Sequence, residues 1–213
     1  MPVLHLVRHG QASYGSDDYD NLSDMGRAQA EAVGRELVRR SLRTPVAACG
    51  SLRRQRDTAL LALAAAGLDV KPMSDCRWDE YDMVQIVKRH VAADTPPHDG
   101  TSRDFQRVLD LALAGWAAGD TVGWSAWVQG AQAALAEVAA SLHSQQDGVV
   151  FTSGGVLAAL TAALIGAPVE SMVALNRVAV NGAITTVLVG GRGTTLLTFN
   201  DHAFLAREQV TFR

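Results

Sequence analysis

The order of apolar patterns along the chain predicts an α/β fold: a three-layer sandwich with a mostly parallel sheet flanked by helices and a helical cap insertion. Three observations carry that expectation. Short, nearly continuous apolar runs alternate with longer stretches of helical period, the first two runs end in polar clusters, and between about 83 and 127 the alternation loosens.

Val3 to Val7 is the first strand candidate. The chain turns helical at Ser23, a residue suited to an N-cap, with Ala30, Val33 and Leu37 at i, i+3 and i+7 and Arg39, Arg40 and Arg43 toward the helix C-terminal end. Pro45 to Cys49 reads as a second strand, and Thr58 to Ala66 as a helix stopped by Gly67. Val70 to Met73 suggests a third strand. Thr95 to Gly100, with two prolines and a glycine, is a loop between helical patterns, so about 83–127 reads as a cap inserted into a single domain spanning 1–213. Val149 to Thr152 is a fourth strand running through Gly154-Gly155 into a helix from about Val156 to Ile165. Ile184 to Val189 and Thr194 to Phe199, joined by Gly190-Gly191-Arg192-Gly193, form a hairpin or edge strands.

Composition narrows the function. The 213 residues are 48% apolar and 19% charged, with 19 basic against 22 acidic side chains for a net charge of −3. Nucleic acid and anionic membrane call for a concentrated basic surface, so neither is expected as a partner and any anion site must be local. Cys49 and Cys76 are too few for a disulfide scaffold and lack metal-ligand spacing, which points to a reduced, cytoplasmic setting and no metal. The apolar run at the N-terminus is too short for a signal peptide and ends in Arg8-His9. The uncharged stretch 149–169 is interrupted by glycines, Thr152, Ser153 and Pro168, and reads as strand, turn and helix rather than a membrane span.

Chemistry concentrates where strands end. Leu6-Val7-Arg8-His9-Gly10 puts a cation and an imidazole at the end of the first strand, and Ser51-Leu52-Arg53-Arg54-Gln55-Arg56-Asp57-Thr58-Ala59 follows the second. Taken singly, either is an ordinary polar turn. In one parallel sheet both ends face the same crevice, where guanidinium groups can grip a phosphate through planar, paired donors.

These residues resemble the histidine phosphatase superfamily, in its phosphoglycerate mutase-like branch. Leu6 to Gly10 looks like the signature motif, Leu22 to Ala30 like the helix-opening motif, and Ser51 to Ala59 like the segment with the second arginine. Alignment on Thr58-Ala59 puts that arginine on Arg54. Trp78-Asp79-Glu80-Tyr81-Asp82 resembles the stretch supplying the acid, and Asn181-Gly182-Ala183-Ile184-Thr185 a late strand-opening motif. The resemblance implies a phosphohistidine at His9, phosphate held by Arg8 and Arg54, and proton transfer by Glu80, with Asp82 as the alternative acid. No cofactor or metal is implied, and the partner is a small phosphorylated metabolite or a phosphoprotein.

One position departs from the pattern. Where the family carries a second His-Gly motif, Thr152-Ser153-Gly154-Gly155 places Ser153. Its hydroxyl and the following amides at a helix N-terminus, Gly154 among them, offer a phosphate site without a cation. The loss corresponds to roughly 10²–10³ in rate, ~3–4 kcal/mol. His202 is a candidate replacement, whereas His90, His98 and Lys88 read as solvated cap residues and Trp116, Trp124 and Trp127 as cap packing.

The expectation is therefore phosphomonoester hydrolysis. The competing readings are a catalytically impaired phospholigand-binding domain, a phosphoglycerate mutase and, more remotely, a hydrolase with Ser153 as nucleophile. That last pattern needs glycine where Phe151 stands. A homodimer is left open.

Overall fold

The computed structural model describes residues 1–13, 20–90, 102–119 and 121–212. The expected Thr95–Gly100 loop and His98 lie outside them. The sheet is mixed, with order β3-β2-β4-β1-β5-β6. The central strand β1 (Val3–Arg8) runs parallel to β4 (Gly148–Thr152), which is parallel to β2 (Val46–Cys49), and β2 is parallel to β3 (Met73–Ser74). On its other side β1 pairs antiparallel with β5 (Ile184–Gly190), itself hairpinned to β6 (Gly193–Asp201). The two late strands are thus a hairpin, but only β6 is an edge. β3 is shorter than Val70–Met73 suggested and shifted to Met73–Ser74, because Pro72 brings no N–H to a ladder.

Alternating side chains feed two cores. Leu4, Leu6 and Val150 point to one face, closed by α5 (Thr121–Ser141) and α6 (Gly154–Leu164) through Ala131, Leu135, Val156 and Leu160. Val7, Val149 and Phe151 point to the other, closed by α1 (Asp24–Arg39) and α2 (Arg53–Ala65) through Val33, Leu37, Ala59 and Leu63. Both faces are apolar, which is why these strands read as continuous runs rather than alternating ones.

α1 begins as its sequence predicts: the Ser23 hydroxyl accepts from the Gly26 N–H at 3.0 Å. α2 instead starts at Arg53, five residues before Thr58. The reason is remote in sequence: the Asp20 carboxylate accepts from the Arg53 N–H at 2.7 Å, capping the helix from outside its own segment.

The described residues between 83 and 127 form α3 (Met83–His90), α4 (Ser102–Gly119) and the first turns of α5. Ile86, Leu109, Leu113 and Trp116 pack on Ala158, Ala162 and Met172, the last from α7 (Val169–Val178). Trp116, Trp124 and Trp127 cluster edge-on and tilted with centroids 5.0 to 5.9 Å apart, and so serve packing. The apolar pattern alone predicts no element at α7. Its signals were Pro168 before the first turn, Glu170 within it and Arg177 in the last.

Cys49 is buried and Cys76 exposed, and both are free thiols. Among the described residues no helix is long and apolar enough to cross a membrane.

Candidate active site

At the C-terminal end of β1 the backbone of His9 is held from three directions. Its N–H donates to the Thr152 carbonyl at 2.8 Å, its carbonyl accepts from Asn181 Nδ2 at 3.3 Å, and the next N–H, of Gly10, donates to Thr58 Oγ1 at 3.0 Å. Gly10 is required because its Cα abuts the Gly26 backbone, where a Cβ would overlap the carbonyl. Thr58 and Asn181, members of two separate motifs in the sequence, thereby hold the two ends of the same peptide bond, His9–Gly10.

The imidazole is buried, at 5% exposure. Nδ1 lies 2.7 Å from the Gly10 carbonyl, which can only accept, so Nδ1 carries the proton and Nε2 the lone pair. Arg54 Nε donates to Nε2 at 3.2 Å. Burial first, then the charges of Arg54 and Arg8, hold the His9 pKa well below the ordinary 6.5 against the opposing bond to Gly10. His9 is neutral across the physiological range.

Arg54 is 8% exposed, and its terminal nitrogen pairs with Asp20 at 2.6 Å. Arg8 points its guanidinium at the Phe212 carbonyl, 3.1 Å from both terminal nitrogens, and also donates to the Ala179 carbonyl. The two cations converge on one cavity of about 280 Å³ lined by Arg8, His9, Arg54 and Glu80 together with Asn176 and side chains of α3 and α4.

Glu80 reaches the cavity from the loop before α3. The Trp78 carbonyl accepts from Thr152 Oγ1 at 2.6 Å and Gln55 Nε2 at 2.9 Å, while the Trp78 ring is fully buried, so the segment entering Glu80 is fixed to the sheet and to α2. The Glu80 carboxylate accepts from the Gly155 N–H at 2.9 Å, at the start of α6. Gly155 has to be glycine because a Cβ there would strike Glu80 and the Tyr81 ring. Burial raises the Glu80 pKa, opposed by the Gly155 bond and by Arg54 and Arg8. Neutral His9 and Glu80 with a raised pKa are the two groups that a nucleophile and a proton donor require.

The α6 N-terminus therefore serves Glu80. Ser153, fully buried, accepts from Gln55 Nε2 at 2.8 Å, and neither Ser153 nor Gly154 lines the cavity, although Gly154 backs onto Arg8. The expected phosphate site there is taken up by these internal partners. Asp82 does line the cavity, with its carboxylate capping α3 through the Gln85 N–H at 3.0 Å. His202 is not among the lining residues, and its Nδ1 lies 2.6 Å from the Asn200 carbonyl. Lys88 and His90 lie in the last turn of α3, and neither lines the cavity. Gln55, Asp20 and Asn176 are the residues sequence reading passed over. Gln55 was visible only as a polar residue at an amphipathic position beside Arg54. Among the described residues no group of three or more His, Cys, Asp or Glu is arranged to hold a metal.

Comparison with known proteins gives a consistent picture. A family model described as the histidine phosphatase superfamily (branch 1) matches residues 4–202. A curated relative from Mycolicibacterium vanbaalenii, glucosyl-3-phosphoglycerate phosphatase, is 31% identical over 193 residues, 79% of this chain and 76% of that protein. The solved structure of a mycobacterial glucosyl-3-phosphoglycerate phosphatase superposes with a TM-score of 0.60 at 25% identity, covering 95% of this chain and 100% of that one. Phosphoglycerate mutase from Bacillus anthracis shares the fold, with a TM-score of 0.65 at 17% identity over 95% of this chain and 94% of that one.

Proposed function

Since the chain belongs to the histidine phosphatase superfamily, branch 1, we propose that it hydrolyses phosphomonoesters through a phosphohistidine at His9. The observation that carries this reading is the arrangement of His9 on the cavity: Nδ1 proton held by the Gly10 carbonyl, Nε2 left as an acceptor for Arg54 Nε at 3.2 Å, and Glu80 on the same cavity.

In the first step Nε2 attacks phosphorus as the ester P–O bond breaks, and the Glu80 carboxyl gives its proton to the departing alkoxide. Arg8 and Arg54 hold the equatorial oxygens, so their contribution is position and charge. In the second step the Glu80 carboxylate takes a proton from water while that water's oxygen bonds to phosphorus. The N–P bond breaks, orthophosphate leaves, and His9 and protonated Glu80 are regenerated. The reaction draws on the chain's own side chains throughout.

The mycobacterial relatives support phosphatase chemistry, and the cavity volume of about 280 Å³ favours a small metabolite over a phosphoprotein. A second reading, a phospholigand-binding domain of low turnover, is favoured by the Ser153–Gln55 pair, which is neutral where the resemblance leads one to expect a further cation. One experiment separates them. Hydrolysis of p-nitrophenyl phosphate is measured for the protein and for His9→Ala, with acid-labile, base-stable phosphate trapped on the quenched enzyme. Turnover and label that both vanish in the variant support the enzyme. Tight phosphate binding with neither supports the binding domain.

A further inference from the structure

The cavity is one-sided in charge. Arg8 and Arg54 stand at the His9 end, and among the described lining residues they are the only cations. Of the residues outside the described ones, Arg213 is the single Lys or Arg in the sequence. The rest of the wall is apolar, from Met83 and Val84 of α3 and Phe105 and Leu109 of α4, with Asn176 and Gln106 as neutral polar groups and Asp82 as an anion. A second anionic group on a substrate would leave water to face hydrocarbon and the Asp82 carboxylate without a counter-charge, which is unfavourable. An alcohol carrying an apolar part would cover Leu109 and Met83.

Resting on the phosphatase reading above, we propose that this site selects phosphate monoesters of uncharged, partly apolar alcohols and discriminates against esters whose alcohol carries a carboxylate or second phosphate. The apolar part lies against α3 and α4. Asn176 stands at the phosphate end of the same cavity: its Nδ2 donates to the Tyr81 hydroxyl at 3.2 Å, and its Oδ1 sits 3.3 Å from where a Gly154 Cβ would be, beside Arg8.

The test uses calorimetry on the full-length His9→Ala protein, which binds without turning over. Phenyl phosphate, n-butyl phosphate and 3-phosphoglycerate are compared, each also offered to the unsubstituted enzyme for hydrolysis. Phenyl and butyl phosphate are expected to bind at least about tenfold more tightly than 3-phosphoglycerate. Val84→Lys, at an exposed rim position on α3 where packing is not disturbed, should narrow that gap by placing a cation on the wall. Equal or tighter binding of 3-phosphoglycerate, or binding of none of the three, overturns the proposal. Selective binding without hydrolysis by the unsubstituted protein sustains the ligand class and removes the phosphatase reading, whereas hydrolysis favouring 3-phosphoglycerate does the reverse.

Discussion

Arg54 Nε donates to His9 Nε2 at 3.2 Å, so the lone pair that would attack phosphorus is occupied by the guanidinium that would hold the phosphate. Substrate arrival is then an exchange of acceptors: phosphate oxygens take the Arg54 N–H and release the imidazole. Replacing Arg54 by glutamine should lower kcat/KM by roughly 10²–10³. Because the Arg54 charge also depresses His9, its pKa should move up toward 6.5, seen by histidine NMR titration. An unmoved His9 titration would show that burial alone keeps the ring neutral.

Asp20 competes for the same cation. Its carboxylate pairs with Arg54 at 2.6 Å while it caps α2 through the Arg53 N–H at 2.7 Å, and the Arg54 bond is the one an incoming phosphate would replace. Asp20→Asn is expected to tighten inhibition by inorganic phosphate about threefold to tenfold, the equivalent of ~1 kcal/mol. Weaker inhibition would mean that Asp20 positions Arg54 instead of competing for it.

The role of Glu80 is read from the leaving group. A p-nitrophenolate departs without a proton, whereas an alkoxide does not. Glu80→Gln should cost about 10²-fold or more on n-butyl phosphate and distinctly less on p-nitrophenyl phosphate. With Glu80 intact, activity on the alkyl ester should fall as pH rises through its raised pKa and the acid form is lost. An equal loss on both esters would reassign the proton donor, with Asp82 next in line on the cavity wall.

The Gln55–Ser153 pair fills the space behind the site. Both side chains are fully buried and joined at 2.8 Å. Ser153→His alone should overpack this position and destabilise by about 1–3 kcal/mol, and adding Gln55→Ala should recover most of that. The double variant also tests whether a cation here raises turnover. Additive destabilisation in denaturant titrations would show that the two positions do not share the space.

His5 makes stability depend on pH. Burial first, then Arg40, lowers its pKa from 6.5 to about 4. Between those values the unfolded chain binds the proton and the folded one does not. Stability therefore rises with pH across that window, and about 3 kcal/mol is lost on acidification from neutrality to pH 4. His9 acts in the same direction and the raised Glu80 in the opposite one. In His5→Gln the slope of unfolding free energy against pH near 5 should fall by about one proton's worth. An unchanged slope would place the titration elsewhere.

Much of the site could be read from the chain because its parts are local to strand ends. Arg8 and His9 close β1, Arg54 follows β2, and Glu80 follows β3, each within a run short enough to recognise. What could not be read depends on distant pairs. Asp20 starts α2 across 33 positions, Gln55 meets Ser153 across 98, and no periodicity encodes either. Ser153 stood out in the sequence as a substitution, and the phosphate-binding role suggested for it did not anticipate that its hydroxyl faces a buried amide. Helix α7, which brings Asn176 to the cavity, had end signals too weak against its mixed composition.

The carbonyl of Trp78, held by Thr152 and Gln55, has a mechanical meaning. It separates two parts of the candidate pocket. The acid rides with the sheet, two residues from a clamped point, while the wall that would read the alcohol belongs to α3 and α4. On the reading proposed above, chemistry and selectivity then sit on different segments of one small domain, and they meet where Tyr81, next to Glu80, packs against Trp116 of α4.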